Sequence, residues 1–187
     1  MAVAVVSTFK ARLLQPLESG EGESWTFLVL PKAASEPLPR RGRTSVQGRI
    51  NGCAFQATLD PDGQLGHWLK VGEALRKAAG AKVGDIVEVE LAAADPEPEP
   101  GVPKDLRAAL AASPAAMATW EATTTLARVD WIHWVESAKQ AKTRKSRVEG
   151  ACDMLASGKK RVCCFDPSGH YSKSLRLPPT ADGADHP

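Results

Sequence analysis

One stretch divides the chain into two parts with different patterns: Ala94-Asp95-Pro96-Glu97-Pro98-Glu99-Pro100-Gly101. The residue before a proline is driven towards extended backbone, and proline itself has no N–H to give to a helix. Three prolines at alternate positions therefore predict a stiff, acidic spacer. We place a domain at residues 1–94, the linker at 95–101, a second domain at 102–162, and a disordered tail rich in polar residues, Pro and Gly at 163–187.

Before the spacer, the sequence has the pattern of short β-strands. The clearest signal is Asn51-Gly52, because these two residues readily take the positive φ angles that a type I′ hairpin turn requires. Strand-like runs lie at 3–14, 24–30, 44–50, 53–59, 67–71 and 85–91, and one short helix is expected at 73–79. Six short strands in a domain of this size predict a small barrel, since an open sheet would leave unpaired edges.

After the spacer, apolar residues recur with the helical period of 3.6. The expected helix starts are Pro103, Ser113-Pro114, Thr124 or Thr125, and Thr143, and the last helix is expected to end at Gly158. The predicted fold class is therefore α+β. It combines an N-terminal small (double-split-like) β-barrel carrying one short helix with a C-terminal four-helix bundle.

The cysteines and the N-terminus indicate a cytoplasmic protein. Cys163 and Cys164 are adjacent, so a disulfide between them would be strained, and four cysteines are too few for a disulfide scaffold. The apolar N-terminus lacks a basic segment and is interrupted at Ser7 and Lys10. No run approaches the roughly 18 apolar residues of a membrane helix. We therefore expect no membrane span.

Positive charge is concentrated in the second part of the chain. Residues 1–95 contain 11 basic and 11 acidic residues, whereas residues 101–177 contain 13 and 7. The first candidate site is the densest basic run, made of Lys139, Lys142, Thr143, Arg144, Arg147 and Lys159, with Lys145, Lys160 and Arg161 beside them. Cations on neighbouring helix ends are expected to bind phosphates of nucleic acid or lipid, or another anion. The alternative is a solvated face partly paired with acidic neighbours.

A second candidate site lies in the barrel domain. Its members are Arg49, His67, Trp68, Lys70 and Arg76. If the barrel has an open mouth, these side chains combine aromatic surface with hydrogen-bond donors for an anionic or planar ligand. In the alternative interpretation they are amphipathic residues that cover the rim of the core.

Metal binding and catalysis find little support in the sequence. Cys152, Cys163, Cys164 and His170 are weak candidates for a soft metal ion, but there is no Cys-x-x-Cys spacing. The chain also has no Gly-x-Ser-x-Gly elbow, phosphate-binding loop, dinucleotide fingerprint or His-Glu-x-x-His motif. We therefore expect a protein that is not an enzyme and that needs no cofactor.

Two stretches resemble a known family. The matching residues are Trp134-Val135-Glu136-Ser137-Ala138-Lys139, Thr143-Arg144, Arg147 and Met154-Leu155-Ala156-Ser157-Gly158-Lys159. They resemble the WI-x-x-AK…TR-x-x-R…ML-x-x-GK signature of the YdeI/OmpD-associated, or bacteriocin-protection, family. The first domain resembles the uncharacterised small-barrel domain that often precedes it, in Phe9, Trp25, the 48–55 hairpin, Leu75-Arg76 and Gly84-Asp85. The resemblance implies a role in surviving antimicrobial peptides and no assigned reaction.

The sequence predicts a non-catalytic binding protein, and the resemblance implies a setting in stress or antimicrobial-peptide protection. We expect it to hold an anionic partner on the basic face of the helical domain. One alternative is a DNA-binding regulator, which would act as a homodimer. For this alternative, residues 79–89 resemble the end of swapped-hairpin transcription regulators of the AbrB type. The other alternative is a small-molecule or metal binder that uses the barrel.

Overall fold

The computed structural model describes residues 5–18, 24–162 and 176–181. These residues form two compact units, one from residues up to Pro96 together with 176–181, and one from Glu97 to 162. The first unit contains a β-sheet and two short helices, whereas the described residues of the second contain helices only. The fold class is therefore mixed α and β, with the sheet in the N-terminal part.

The sheet of the first unit has six antiparallel strands curled into a half-barrel. Its strands are β1 (Ser7–Arg12), β2 (Trp25–Val29), β3 (Thr44–Ile50), β4 (Cys53–Pro61), β5 (His67–Gly72) and β6 (Ile86–Ala93), in the order β1-β6-β3-β4-β5-β2. The two ends of the sheet approach each other just beyond β1, where Leu14 and Phe27 exchange backbone hydrogen bonds of 2.8 and 2.9 Å. The six strands predicted from the sequence are confirmed.

Two short helices accompany the sheet. They are α1 (Lys32–Ser35) and α2 (Glu73–Ala78). The sequence predicts only α2, because α1 is a single turn after Pro31 with no apolar repeat to reveal it. Its last two residues, Ala34 and Ser35, are nevertheless buried.

The Asn51-Gly52 turn joins β3 to β4 as predicted. The φ angles of these residues are 47° and 84°, which are the positive values of a type I′ turn. The Asn51 carboxamide also accepts a hydrogen bond from the Glu88 N–H (2.9 Å) and donates one to the Ala79 carbonyl (3.2 Å). Asn51 therefore holds the hairpin against β6 and the end of α2, in addition to forming the turn.

The core of the first unit is made by alternate residues of the strands. Its fully buried apolar members include Leu28, Val46, Ile50, Leu59, Leu69, Val71, Val87 and Val89. In β5 and β6 these residues alternate with exposed or half-exposed ones, as expected for strands with one face on a core. The opposite face of the sheet carries the side chains of the intervening residues.

The described residues of the second unit form four helices. They are α3 (Lys104–Ala111), α4 (Pro114–Glu121), α5 (Thr125–Glu136) and α6 (Ala141–Ala156). Ser113 and Thr124 act as the predicted N-caps, because their hydroxyl groups accept hydrogen bonds from the Ala116 and Ala127 N–H groups. The helices share one apolar core around Trp131, Leu106, Leu110 and Leu155. A four-helix bundle in the strict sense stays a prediction.

The start of α6 differs from the prediction. The sequence favours Thr143 as the N-cap, but the helix begins at Ala141 and its N-cap is Gln140, which makes no side-chain capping bond. The Arg144 N–H already donates to the Gln140 carbonyl at 2.9 Å, so Thr143 lies inside the first turn. The intrinsic preference of threonine for N-caps is overridden here by the helical hydrogen bonds that precede it.

Part of the predicted tail pairs with the first unit. The Leu17 N–H donates to the Pro179 carbonyl (2.7 Å), and the Ala181 N–H donates to the Gln15 carbonyl (3.0 Å). The prediction of disorder over 163–187 therefore does not hold for residues 176–181, because composition does not reveal a backbone partner more than 150 residues away. The other residues of that range lie outside the described part of the chain.

Candidate functional site

Arg144 binds Asp105 through two parallel hydrogen bonds. The guanidinium Nε lies 2.6 Å from Oδ2, and Nη2 lies 3.0 Å from Oδ1. The hydrogen bond from Arg144 lowers the pKa of Asp105, and Asp105 in turn raises the pKa of Arg144. This pair connects α6 to the first turn of α3. The charge of Arg144 is thus largely balanced within the helical unit.

Arg147 binds the end of α5. Its Nη1 donates to the Trp134 carbonyl (2.6 Å) and to the Ser137 Oγ (2.7 Å), and its guanidinium carbon lies 5.5 Å from the centroid of the Trp134 ring. The last carbonyls of a helix have no partner within the helix. The Trp134 carbonyl accepts from the Ser137 hydroxyl (3.1 Å) and from Arg147, and the second of these bonds joins the end of α5 to α6. Both arginines of the sequence signature therefore have structural partners.

The remaining cations of the basic run lie at opposite ends of α6. Lys139, Lys142 and Lys145 are exposed around its start, and Lys159 with its two basic neighbours is exposed just after its end. Because α6 has 16 residues, the ends are about 24 Å apart along the axis. The sequence-based interpretation of one basic face on neighbouring helix ends is therefore corrected to two separate groups.

The start of α6 has an unusual electrostatic arrangement. We define the α6 lysine cluster as Lys139, Lys142 and Lys145; among the described residues, none of the three forms an ion pair. The first turn contains no acidic residue and no side-chain cap, and the exposed acids of the helix, Glu149 and Asp153, lie nearer its end. Positive charge at a helix N-terminus opposes the helix dipole and costs roughly 0.3–1 kcal/mol per group.

The lysines at the other end of α6 are in a favourable position. Gly158 has a φ of 85°, and the Lys159 N–H donates to the Met154 carbonyl at 3.0 Å, which is a common way to end a helix. Positive charge there complements the negative end of the dipole. The end of the helix therefore accounts for the position of Lys159, and no ligand is needed to explain it.

The structure does not bring all five barrel candidates together. His67 is completely buried on the core face of β5. Trp68 and Lys70 lie on the opposite face, where they contact Trp25, a residue not included in the candidate site. Arg76 donates to the Ser24 Oγ at 3.3 Å. Arg49 is exposed on β3, opposite Glu90 of β6.

His67 is buried and titratable. One ring nitrogen, Nε2, lies 3.1 Å from the Gly42 carbonyl oxygen, and Nδ1 has no partner among the described residues. Burial lowers the pKa of His67 below 6.5, outweighing the opposing effects of the Gly42 carbonyl and Asp62. The ring is therefore neutral in the folded protein near pH 7.

We expect the stability of the first unit to fall as the pH decreases below about 6.5. The unfolded chain then takes up a proton on His67 that the folded chain does not, which favours unfolding by up to about 1.4 kcal/mol per pH unit. Urea unfolding between pH 7.5 and 5 measures this slope. His67→Gln, which keeps a donor for Gly42, should flatten it; an unchanged slope would rule out His67 as the cause.

The metal candidates are not brought together in the described part of the chain. Cys152 is half-buried against the core of the helical unit, and burial raises the pKa of its thiol, so the protonated form is favoured. Cys163, Cys164 and His170 lie outside the described residues. The described residues contain no group of three or more His, Cys, Asp or Glu side chains positioned to hold a metal ion.

Sequence reasoning missed Arg128, which organises the connection between α4 and α5. Its guanidinium donates to the Trp120 carbonyl (3.2 Å), the Glu121 carbonyl (2.9 Å) and the Glu99 carboxylate (2.6 Å). It also lies 6.0 Å from the centroid of the Trp120 ring. No local motif marks such a residue, because its partners are two backbone carbonyls that only the folded chain presents and a carboxylate 29 positions away.

Comparison with known families agrees with the two-part structure. Residues 99–158 match the family described as Bacteriocin-protection, YdeI or OmpD-Associated, and residues 9–91 match the Domain of unknown function (DUF1905). No curated protein matches the chain. None of the described helices is both long and apolar enough to cross a membrane. The helical part of the chain is thus similar to the bacteriocin-protection, YdeI or OmpD-associated family, and it follows a part that is similar to the DUF1905 family.

Proposed function

We propose that the protein is a non-catalytic binding protein in protection against bacteriocins or other antimicrobial peptides, and that it holds an anionic partner on the α6 lysine cluster. The family name supports the biological setting. The observation that carries the binding site is the start of α6, where three exposed lysines surround a first turn that contains no acidic residue of its own and no side-chain cap.

An anion at this position would reverse an unfavourable arrangement. The N–H groups of the first turn and the helix dipole attract negative charge. The ammonium groups of Lys139, Lys142 and Lys145 add charge-assisted hydrogen bonds, and the exposed hydroxyl of Thr143 lies in the same turn. Repulsion that exists in the free protein therefore becomes attraction when an anion is bound.

The lysines also indicate the type of anion. The two arginines that would give bidentate recognition of a carboxylate are engaged by Asp105 and by the end of α5. Lysine ammonium groups act as flexible point charges, so the cluster suits the dispersed charge of phosphate groups. Binding governed by such contacts weakens steeply as the salt concentration rises.

The test is charge reversal of the whole cluster. The triple variant K139E/K142E/K145E should bind inorganic tripolyphosphate at least about tenfold more weakly in isothermal titration calorimetry. Its melting temperature should not fall, because glutamate near a helix start is favourable. The same variant should lose protection in a survival assay of bacteria that express the protein and are exposed to a bacteriocin.

A matched control makes the same change in net charge at the other end of the helix. The variant K159E/K160E/R161E should keep tripolyphosphate binding within about twofold of the unchanged protein. Its charges lie at the far end of α6, and salt screens the effect of exposed charges over such a distance. Equal losses in the two triple variants would mean that only net charge matters and would reject the site. A duplex oligonucleotide, titrated at several salt concentrations, tests the alternative of a dimeric DNA-binding regulator.

A further inference from the structure

The outer face of the β2–β5 pair carries a cluster of three aromatic side chains. The ring centroids of Trp25 and Phe27 are 6.2 Å apart, those of Trp25 and Trp68 6.3 Å, and those of Phe27 and Trp68 5.9 Å. Phe27 alternates with the core residue Leu28 and so points away from the main core. It is completely buried, with the two indoles beside it. We call Trp25, Phe27 and Trp68 the outer aromatic cluster.

The indoles of this cluster are only partly buried, and cations lie beside them. Trp25 and Trp68 each retain some exposure. The exposed Lys70 has its Nζ 5.0 Å from the centroid of the Trp25 ring. Arg76 reaches the residue just before Trp25, where its Nη2 donates to the Ser24 Oγ. Flat aromatic surface and positive charge are therefore combined at one edge of the sheet.

The neighbouring position on β5 is open. Gly72 is opposite Trp25 in the β2–β5 ladder and lies on the same face as Trp68 and Lys70, because side chains alternate along a strand. A Cβ atom at Gly72 would have no atom within 4 Å. The position that a side chain of residue 72 would occupy is thus not filled by the described residues.

We propose that the outer aromatic cluster stacks the base of a nucleotide unit, while Lys70 and Arg76 bind its phosphate. Base stacking on aromatic side chains next to a positively charged groove is the general way in which proteins bind single-stranded nucleic acid. In this arrangement the base lies beside Trp25, over the open position at Gly72, and its phosphate is bound by the two cations. This site lies in the first unit and is independent of the α6 lysine cluster.

The test uses the full chain with the K139E/K142E/K145E changes, so that the α6 lysine cluster does not contribute. Binding of a fluorescein-labelled single-stranded oligothymidylate is measured by fluorescence anisotropy. Gly72→Leu fills the open space and should weaken binding at least about fivefold. This is the low end of the loss in affinity expected when one base can no longer stack. Gly72→Ser is the matched smaller change at the same position, since it adds little volume and serine is a good N-cap for α2; its loss of affinity should be clearly smaller than that of Gly72→Leu.

A second pair of variants tests the cations. Lys70→Glu should weaken binding by a similar factor, whereas Lys82→Glu, an equal charge change at an exposed lysine in the turn before β6, should not. Urea unfolding of each variant checks that the fold is retained. Equal affinities of the Leu and Ser variants at Gly72 would overturn the proposal, as would absence of any binding.

Competition distinguishes the sources of the nucleotide unit. Free thymidine monophosphate and an unlabelled oligonucleotide are compared at the same total concentration of bases. If both displace the labelled strand equally well, the site binds single nucleotides. If only oligonucleotides compete, the site takes a strand; either result supports the stacked nucleotide unit. A polyglutamate peptide that competes equally well, with the same sensitivity to Gly72→Leu, would show a general acidic-peptide site and refute the assignment.

Discussion

Arg147→Ala is expected to lower the free energy of unfolding of the helical unit by about 3 kcal/mol. The substitution removes two hydrogen bonds from a charged donor, to the Trp134 carbonyl and to the Ser137 Oγ. Hydrogen bonds to charged groups contribute about 1.5–3 kcal/mol each. It also removes the contact between the guanidinium and the Trp134 ring and leaves the end of α5 without its partner on α6.

Urea unfolding followed by far-ultraviolet circular dichroism measures this loss. Lys145→Ala is the matched control, because Lys145 is an exposed cation on the same helix and should change stability by less than about 0.5 kcal/mol. Arg147→Lys should recover only part of the loss, since lysine keeps the charge but not the planar fork. A stable Arg147→Ala protein that no longer binds tripolyphosphate would instead make Arg147 part of the anion site.

Arg144 is expected to matter less for stability than Arg147. The side chains of the Arg144–Asp105 pair are 33% and 43% exposed, and solvent-exposed pairs contribute at most about 1 kcal/mol. Arg144 lowers the pKa of Asp105, so the pair's contribution is present at neutral pH. This contribution is lost as the pH falls below 3.8, the ordinary pKa of an aspartate, and the Asp105 carboxylate of the folded protein takes up a proton.

Features with a local cause were predicted well from the sequence. The Asn51-Gly52 turn, the Ser113 cap and the Thr124 cap each depend on residues within four positions of one another. The strands likewise follow from alternation along short segments. The folded protein retains these local structures because they need no partner from a distant part of the chain.

Features that depend on distant partners were not predictable in this way. The basic run looks continuous in the sequence, but α6 separates its two ends, and Asp105 reaches Arg144 from 39 positions away. Trp25 joins Trp68 only because β2 pairs with β5. Charge and composition therefore indicated where cations are abundant, while the fold decided which of them already have partners.

Gly48→Ala is expected to destabilise the first unit by about 3 kcal/mol, although it adds a single methyl group. Gly48 lies on β3 between Leu91 of β6 and Phe55 of β4. A Cβ atom there would overlap the Glu90 carbonyl oxygen and lie 2.9 Å from the Leu91 Cα. These are backbone atoms of a paired strand, so the strands must move apart and their hydrogen bonds must lengthen.

The control for Gly48 is the same substitution at Gly72. Gly72 has a φ of −67° and open space around its missing Cβ, so Gly72→Ala should change the free energy of unfolding by less than about 0.5 kcal/mol. Urea unfolding compares the two variants directly. Equal stabilities would mean that β3 and β6 separate at little cost. The close approach at Gly48 would then not hold the curl of the sheet, and the half-barrel would depend on its apolar core alone.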